Sequence, residues 1–240
     1  MAKGRSELTV RRARAMPTIL LIRHAQASFG AADYDVLSER GRGQVGALVE
    51  GLARRGIVAG RVVCGSLRRQ HDTAAPCASA LGLDVTIDDR FDEYDIRDIL
   101  AHHSDARVGL EHKPGDQTVD SREFQRILDE ALSAWVAAGL RSSCREPWPR
   151  FERRLAAAVD DLAGDLGKGE TALVVSSGGA IAAITAARLG LRAGALIALN
   201  RVSINTGITK LVVGRGGVTL ISSNEHAHLE EVGVSLVTYR

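Results

Sequence analysis

The sequence predicts an α/β domain: a three-layer α/β/α sandwich around a mainly parallel sheet with an antiparallel edge. Three observations point there. Short apolar runs of strand length, Thr18–Ile22, Arg61–Cys64 and Thr171–Ser176, alternate with longer segments of helical spacing. Two β-rich stretches, 206–213 and 217–223, flank Gly214-Arg215-Gly216-Gly217, so a hairpin supplies the antiparallel edge. The composition is that of a globular chain, 45% hydrophobic and 25% charged over 240 residues, which is long enough to bury a core without disulfide or metal staples.

The elements follow in chain order. Thr18–Ile22 (TILLI), bounded by Pro17 and Arg23, is too short for a buried helix and reads as a buried strand. Ser38 can cap a helix in which Val45, Leu48, Val49 and Leu52 share one face. After the strand RVVC, residues 67–81 are predicted helical although Pro76 falls inside them, and DVTID (84–88) alternates as a strand does. Residues 94–120 are polar, irregular and histidine-bearing, and open an excursion near 94–150 over one face of the sheet. Helices are predicted over 121–139 and 150–166, separated by SSCREPWP, and a small-residue helix starts near Gly179 behind the strand TALVVS. One domain is expected over 16–240, preceded by a basic, flexible extension over 1–15, with Met16 as an alternative start.

Charge and cysteines narrow the class. The formal charge is +2, but residues 1–15 carry +4 and the remainder −2, so the body is mildly acidic and a nucleic-acid partner is not expected. No apolar stretch is long enough to cross a bilayer, and the basic tail lacks the apolar run of a secretory signal. Cys64, Cys77 and Cys144 are odd in number and widely spaced, which fits neither a disulfide framework nor a CxxC knuckle. A cytoplasmic location is expected. The oligomeric state stays open, with a homodimer as one candidate.

Ligands of open α/β sheets bind beyond the carboxyl ends of the strands, so the residues following each strand carry the functional information. They are Arg23-His24-Ala25-Gln26 after the first strand and Gly65-Ser66-Leu67-Arg68-Arg69-Gln70-His71-Asp72-Thr73 after the second. Arg90-Phe91-Asp92-Glu93-Tyr94-Asp95 follows the third, and Ser177-Gly178-Gly179 the fourth. Arginines and a helix N-terminus bind phosphate, and a histidine held among them can attack phosphorus.

In order and spacing these signatures resemble the histidine phosphatase superfamily, whose best-known members are the cofactor-dependent phosphoglycerate mutases. The match runs over roughly residues 17–210: LIRHAQASFG after the first strand, SLRRQHDT after the second, Glu93 in RFDEYD, and VVSSGG after the fourth. The resemblance implies a phosphoglycerate mutase-like fold and a metal-independent phosphatase acting on a small phosphorylated molecule. A mutase-type phosphotransferase and a phosphate-ester-binding protein with weak catalysis are the alternatives. It implies His24 as the nucleophile, forming a phosphohistidine. Arg23 and Arg69 would grip the phosphoryl oxygens, and Glu93 would serve as general acid. No metal or other cofactor is expected, because the arginines supply the positive charge. Ser177 and Gly178 complete the implied phosphate site, but Ser177 stands where most of the family has a second histidine, and Ala25 replaces a glycine. Serine keeps a hydrogen-bond donor and loses the charge, so His226 and His228, in SSNEHAHLEE, are candidates for a compensating group.

Plainer readings apply to other residues. Arg68 is expected as a surface charge or a substrate-rim contact, His71 on the helix surface with an approach to the pocket as its alternative, and Asp92 and Asp95 compete with Glu93 for the acid role. His102, His103 and His112 fit no usual zinc spacing and read as solvated loop residues. Gly41-Arg42-Gly43-Gln44-Val45-Gly46 matches GxGxxG but does not follow a strand, so no nucleotide site is inferred. Ser176-Ser177-Gly178 lacks the preceding glycine of a hydrolase elbow. Trp135 and Trp148 are expected in core or lid packing.

Overall fold

A computed structural model describes residues 16–28, 35–104 and 121–239. The basic extension and residues 105–120 of the 94–120 excursion, His112 among them, lie outside the described residues.

Among the described residues, six strands form one sheet. They are β1 (Thr18–Arg23), β2 (Arg61–Cys64), β3 (Val85–Ile87), β4 (Thr171–Ser176), β5 (Ile208–Gly214) and β6 (Gly217–Glu225), in the order β3-β2-β4-β1-β5-β6. β1, β2, β3 and β4 run parallel, while β5 is antiparallel to β1 and pairs with β6 as the expected hairpin. The helices are α1 (Glu39–Arg54), α2 (Arg68–Leu81), α3 (Ile96–His103), α4 (Ser121–Ala138), α5 (Trp148–Asp165), α6 (Gly178–Arg188), α7 (Ala195–Arg201) and the single turn α8 (Ala227–Glu230).

The strand period of two sorts the core into halves. From β1, Ile19 and Leu21 join Leu128 and Trp135 of α4, Phe151 and Leu155 of α5 and the small residues of α6. Leu20 and Ile22 point the other way and pack with Leu48 and Leu52 of α1 and Ala74, Cys77 and Ala78 of α2. Two cores on opposite faces of one sheet make the three layers. Trp135 and Trp148 lie in the first core, with ring centroids 5.4 Å apart at near-perpendicular planes, and Tyr94 and Phe151 complete the cluster. Cys64, Cys77 and Cys144 are buried free thiols, and burial pushes Cys64 up to about 11 and Cys77 to about 12.

Local chemistry sets the boundaries. Ser38 caps α1 by accepting from Gly41 N–H at 3.0 Å. Helix α2 runs through Pro76, which lies on its exposed side, where water can serve the carbonyl left without an amide partner. Gly41 has a different use from any nucleotide loop. A Cβ there would lie 2.2 Å from the carbonyl oxygen of Gln26, so the bare glycine lets the first turn of α1 press against the backbone that follows His24.

Candidate active site

The strand register brings the sequence-selected loops to one edge. Arg23 pairs with Ser176, and His24 N–H donates to Ser176 O at 2.8 Å, so His24 and Ser177 come next, side by side, on neighbouring parallel strands. Cys64 pairs with Val175, and Gly65 N–H reaches Val175 O at 3.3 Å, which delivers the start of α2 to the same edge.

His24 is buried, and its Nδ1 lies 2.8 Å from Ala25 O. A carbonyl oxygen only accepts, so Nδ1 carries the proton and Nε2 the lone pair. Arg69 Nε donates to that Nε2 at 3.2 Å. Burial, then the charges of Arg69 and Arg23, hold the imidazole well below its ordinary pKa of 6.5. His24 is therefore a neutral imidazole with its nucleophilic nitrogen facing a guanidinium.

Arg23 is also buried, and one terminal nitrogen donates to the main-chain carbonyls of Ser203 and Tyr239. Its Nε lies 3.3 Å from where a Cβ on Gly178 would stand, and that Cβ would come 2.6 Å from Asn200 Oδ1. The missing side chain at 178 thus admits Arg23 and Asn200 together. Arg69 NH1 donates to Asp35 Oδ1 at 2.5 Å, while Asp35 Oδ2 accepts the Arg68 amide, the first of α2, at 2.7 Å. One carboxylate thereby holds both the helix start and the arginine side chain.

The three neighbouring carboxylates separate by their partners. Asp92 accepts from Ser66 N–H and Oγ–H, at 2.6 and 2.5 Å, and ties the second loop. Asp95 caps α3 through the amides of Arg97 and Asp98. Glu93 Oε2 accepts Gly179 N–H at 2.9 Å, which sets its carboxylate at the α6 N-terminus beside Ser177 and Gly178. Arg154 on α5 braces this loop. It donates to Arg90 O at 2.8 Å and Asp92 O at 3.2 Å, pairs both carboxylate oxygens of Glu146 at 2.8 Å, and stacks over Phe151.

His226 and His228 are engaged elsewhere. His228 is buried with its Nε2 3.0 Å from Thr206 Oγ1, and its Cβ lies 2.5 Å from where one on Gly51 would stand. Thr206 has φ of 59°, a left-handed conformation costly for a β-branched residue. Its N–H donates to Arg23 O at 3.0 Å, so His228 supports the strained residue that steadies Arg23 from behind. His226 Nδ1 is 2.7 Å from Asn224 O and its Nε2 is 3.4 Å from Glu230. Neither contact set includes His24, Arg69 or Ser177.

The remaining candidates lie apart. Arg68 and His71 are exposed near Asp72. His103 Nε2 is 2.7 Å from Ser142 Oγ. Asp98, His102 and Cys144 bring ligand-type atoms within 4.8 Å of one another. Each is already occupied: His102 Nδ1 and Cys144 Sγ lie 2.8 and 3.7 Å from Asp98 O, and Arg145 N–H donates to Asp98 Oδ2 at 2.8 Å. The Arg145 guanidinium, 3.6 Å from Asp98 Oδ1, already supplies the cation of that cluster.

Sequence reading passed over Asp35, Gln70, Arg154, Asn200 and Asn205. Asn205 Nδ2 donates to His24 O at 2.9 Å, Asn205 Oδ1 accepts from Thr238 Oγ1 at 2.9 Å, and Gln44 Nε2 reaches the same Thr238 hydroxyl at 2.7 Å. Gln70 offered a faint signal, as a polar residue predicted to be one step from Arg69 on a helix.

A neutral imidazole facing arginine thus stands at the carboxyl edge of a mainly parallel sheet in an α/β protein. Residues 19–226 match the histidine phosphatase superfamily (branch 1), and the chain belongs to that superfamily. It is 43% identical over 90 residues to the bifunctional protein Rv2228c of Mycobacterium tuberculosis, an alignment covering 35% of this chain and 24% of that protein. The match thus spans about a quarter of the curated relative's length. Among solved structures, mycobacterial glucosyl-3-phosphoglycerate phosphatase Rv2419c with VO3 is similar at 26% identity and a TM-score of 0.58, over 87% of this chain and 99% of that one. The phosphoglycerate mutase of Bacillus anthracis str. Sterne shares the fold at 18% identity and a TM-score of 0.61, over 92% and 98% of the two chains. Among the described residues, no helix is long and apolar enough to cross a membrane.

Proposed function

We propose that the protein is a metal-independent phosphatase that hydrolyses a small phosphate ester or anhydride through a phosphohistidine on His24. The observation that carries the reading is the setting of that imidazole: it is buried, with Nδ1 2.8 Å from Ala25 O and Nε2 3.2 Å from Arg69 Nε, which favours a neutral ring with its lone pair on Nε2. Nε2 attacks phosphorus and the bond to the leaving oxygen breaks. Glu93 gives that oxygen its proton, then takes one from the water that attacks the phosphohistidine, as the Nε2–phosphorus bond breaks and inorganic phosphate leaves. Arg69 and Arg23 stabilise charge on the equatorial oxygens, where a preorganised donor contributes about 10²–10³ in rate. The bidentate, permanently charged guanidinium suits that role.

Hydrolysis is preferred to phosphoryl transfer between hydroxyls, which requires that water be kept from the phosphoenzyme. The test offers the protein p-nitrophenyl phosphate in one arm and 3-phosphoglycerate with its bisphosphate in the other. Release of inorganic phosphate in the first, without isomerisation in the second, is expected. Rapid isomerisation with little phosphate release overturns the reading.

A further inference from the structure

We infer that Gln70 is a positioning residue that fixes the Ser177 hydroxyl as a hydrogen-bond donor to the phosphoryl group bound beside His24. The inference rests on the phosphoryl site proposed above and adds a residue to it.

Gln70 is fully buried on the first turn of α2, next in sequence to Arg69. Its Oε1 accepts Leu67 N–H at 3.3 Å, and this settles which way the amide faces, because only the oxygen can accept from a backbone N–H. The amide nitrogen must then point the other way, where it donates to Ser177 Oγ at 2.9 Å and approaches Phe91 O at 3.4 Å. Gly65 makes room for this arrangement, since a Cβ there would lie 2.1 Å from Gln70 Oε1.

The consequence falls on Ser177. A hydroxyl has one proton to give and lone pairs to receive. Gln70 uses a lone pair, which leaves the proton to be donated elsewhere. Ser177 is fully buried, and among the described residues its hydroxyl proton has no acceptor. An unmet buried donor is costly, and it is relieved when an acceptor arrives. The strand register sets Ser177 beside His24, where a phosphoryl oxygen would be that acceptor. Gln70 thus acts through Ser177, excluding the competing orientation in which the hydroxyl gives its proton to α2.

Replacing Gln70 by Glu reverses the polarity. The carboxylate accepts the Ser177 proton and turns it from the pocket, whereas Phe91 O keeps Ser176 Oγ as a donor at 2.6 Å. The experiment measures orthovanadate affinity and kcat/KM on p-nitrophenyl phosphate for the wild type, Ser177→Ala, Gln70→Glu and the double variant, with melting temperatures alongside. Each single variant is expected to lose about 10²-fold in both quantities, the low end for one oxyanion donor. The double variant is expected to be no worse than either single one. Relative to wild type, the Gln70→Glu loss shrinks as pH falls and its carboxyl protonates, and the Ser177→Ala loss does not. Wild-type affinity in Gln70→Glu, losses that multiply in the double variant, or a Gln70→Glu defect independent of pH would each overturn the inference. If the wild type binds vanadate with this variant pattern yet turns over no ester, the proposed function fails and the role of Gln70 stands.

Discussion

His24 is a base whose protonation would destroy its nucleophilicity, and its surroundings oppose that protonation. Desolvation acts first and the Arg69 and Arg23 charges add to it, so the neutral ring persists below its ordinary titration range. The acid limb of kcat/KM assigned to His24 is therefore expected below pH 6.5. Replacing Arg69 by Gln removes one of the opposing charges and is expected to move that limb up while lowering the maximal rate. A pH–rate profile of the two proteins checks both. The residues that carry this behaviour differ in how readily they could be read. Arg23, His24, Arg69 and Glu93 each follow a strand-like run, so position and side-chain type together singled them out. Asp35, Gln70 and Asn205 reach the site through hydrogen bonds to residues distant in sequence, and no local pattern records such a partner. The same gap placed His228 among the candidates for the pocket, whereas its visible partner is Thr206.

At the scale of elements, the loop after β1 is held from both sides. α1 presses on it through Gly41, and the 203–207 turn holds it through Asn205 and Thr206. Gly41→Ala forces a methyl group into the Gln26 carbonyl, which is backbone and cannot swing aside. A loss of about 1–3 kcal/mol in unfolding free energy is expected from denaturant titration, the usual range for overpacking. Activity should fall further than the remaining folded fraction explains, since the displaced segment follows His24, the proposed nucleophile. The strands were legible because β1 and β4 are buried on both faces and read as continuous apolar runs. α7 escaped notice because seven residues give too little periodicity to stand out from the preceding loop. α3 escaped because it begins inside a polar stretch, where only Asp95 marks its start.

For the whole molecule, stability at acid pH should be governed in part by histidines buried without their protons. Burial, with Arg55 and His226 nearby, lowers His228 from 6.5 to about 4. The folded state then binds the proton less readily than the unfolded chain does, so the stabilisation is fully present above pH 6.5 and is lost as pH falls from there toward 4. Between pH 7 and pH 5 the contribution of His228 to unfolding free energy should drop by about 2 kcal/mol. In His228→Gln the fall over that interval is expected to shrink by about that amount, as read from urea titrations at the two pH values. An unchanged slope would mean that His228 is protonated in the folded protein.

Phosphate is proposed to pass through His24. This is tested by mixing the protein with a small radiolabelled phosphomonoester, quenching in alkali within the first turnover and mapping the label by peptide. Phosphate stable to alkali and released by acid is expected on the peptide containing His24, with none in His24→Ala. Steady hydrolysis with no labelled enzyme, or with the label and the turnover surviving in His24→Ala, would contradict it.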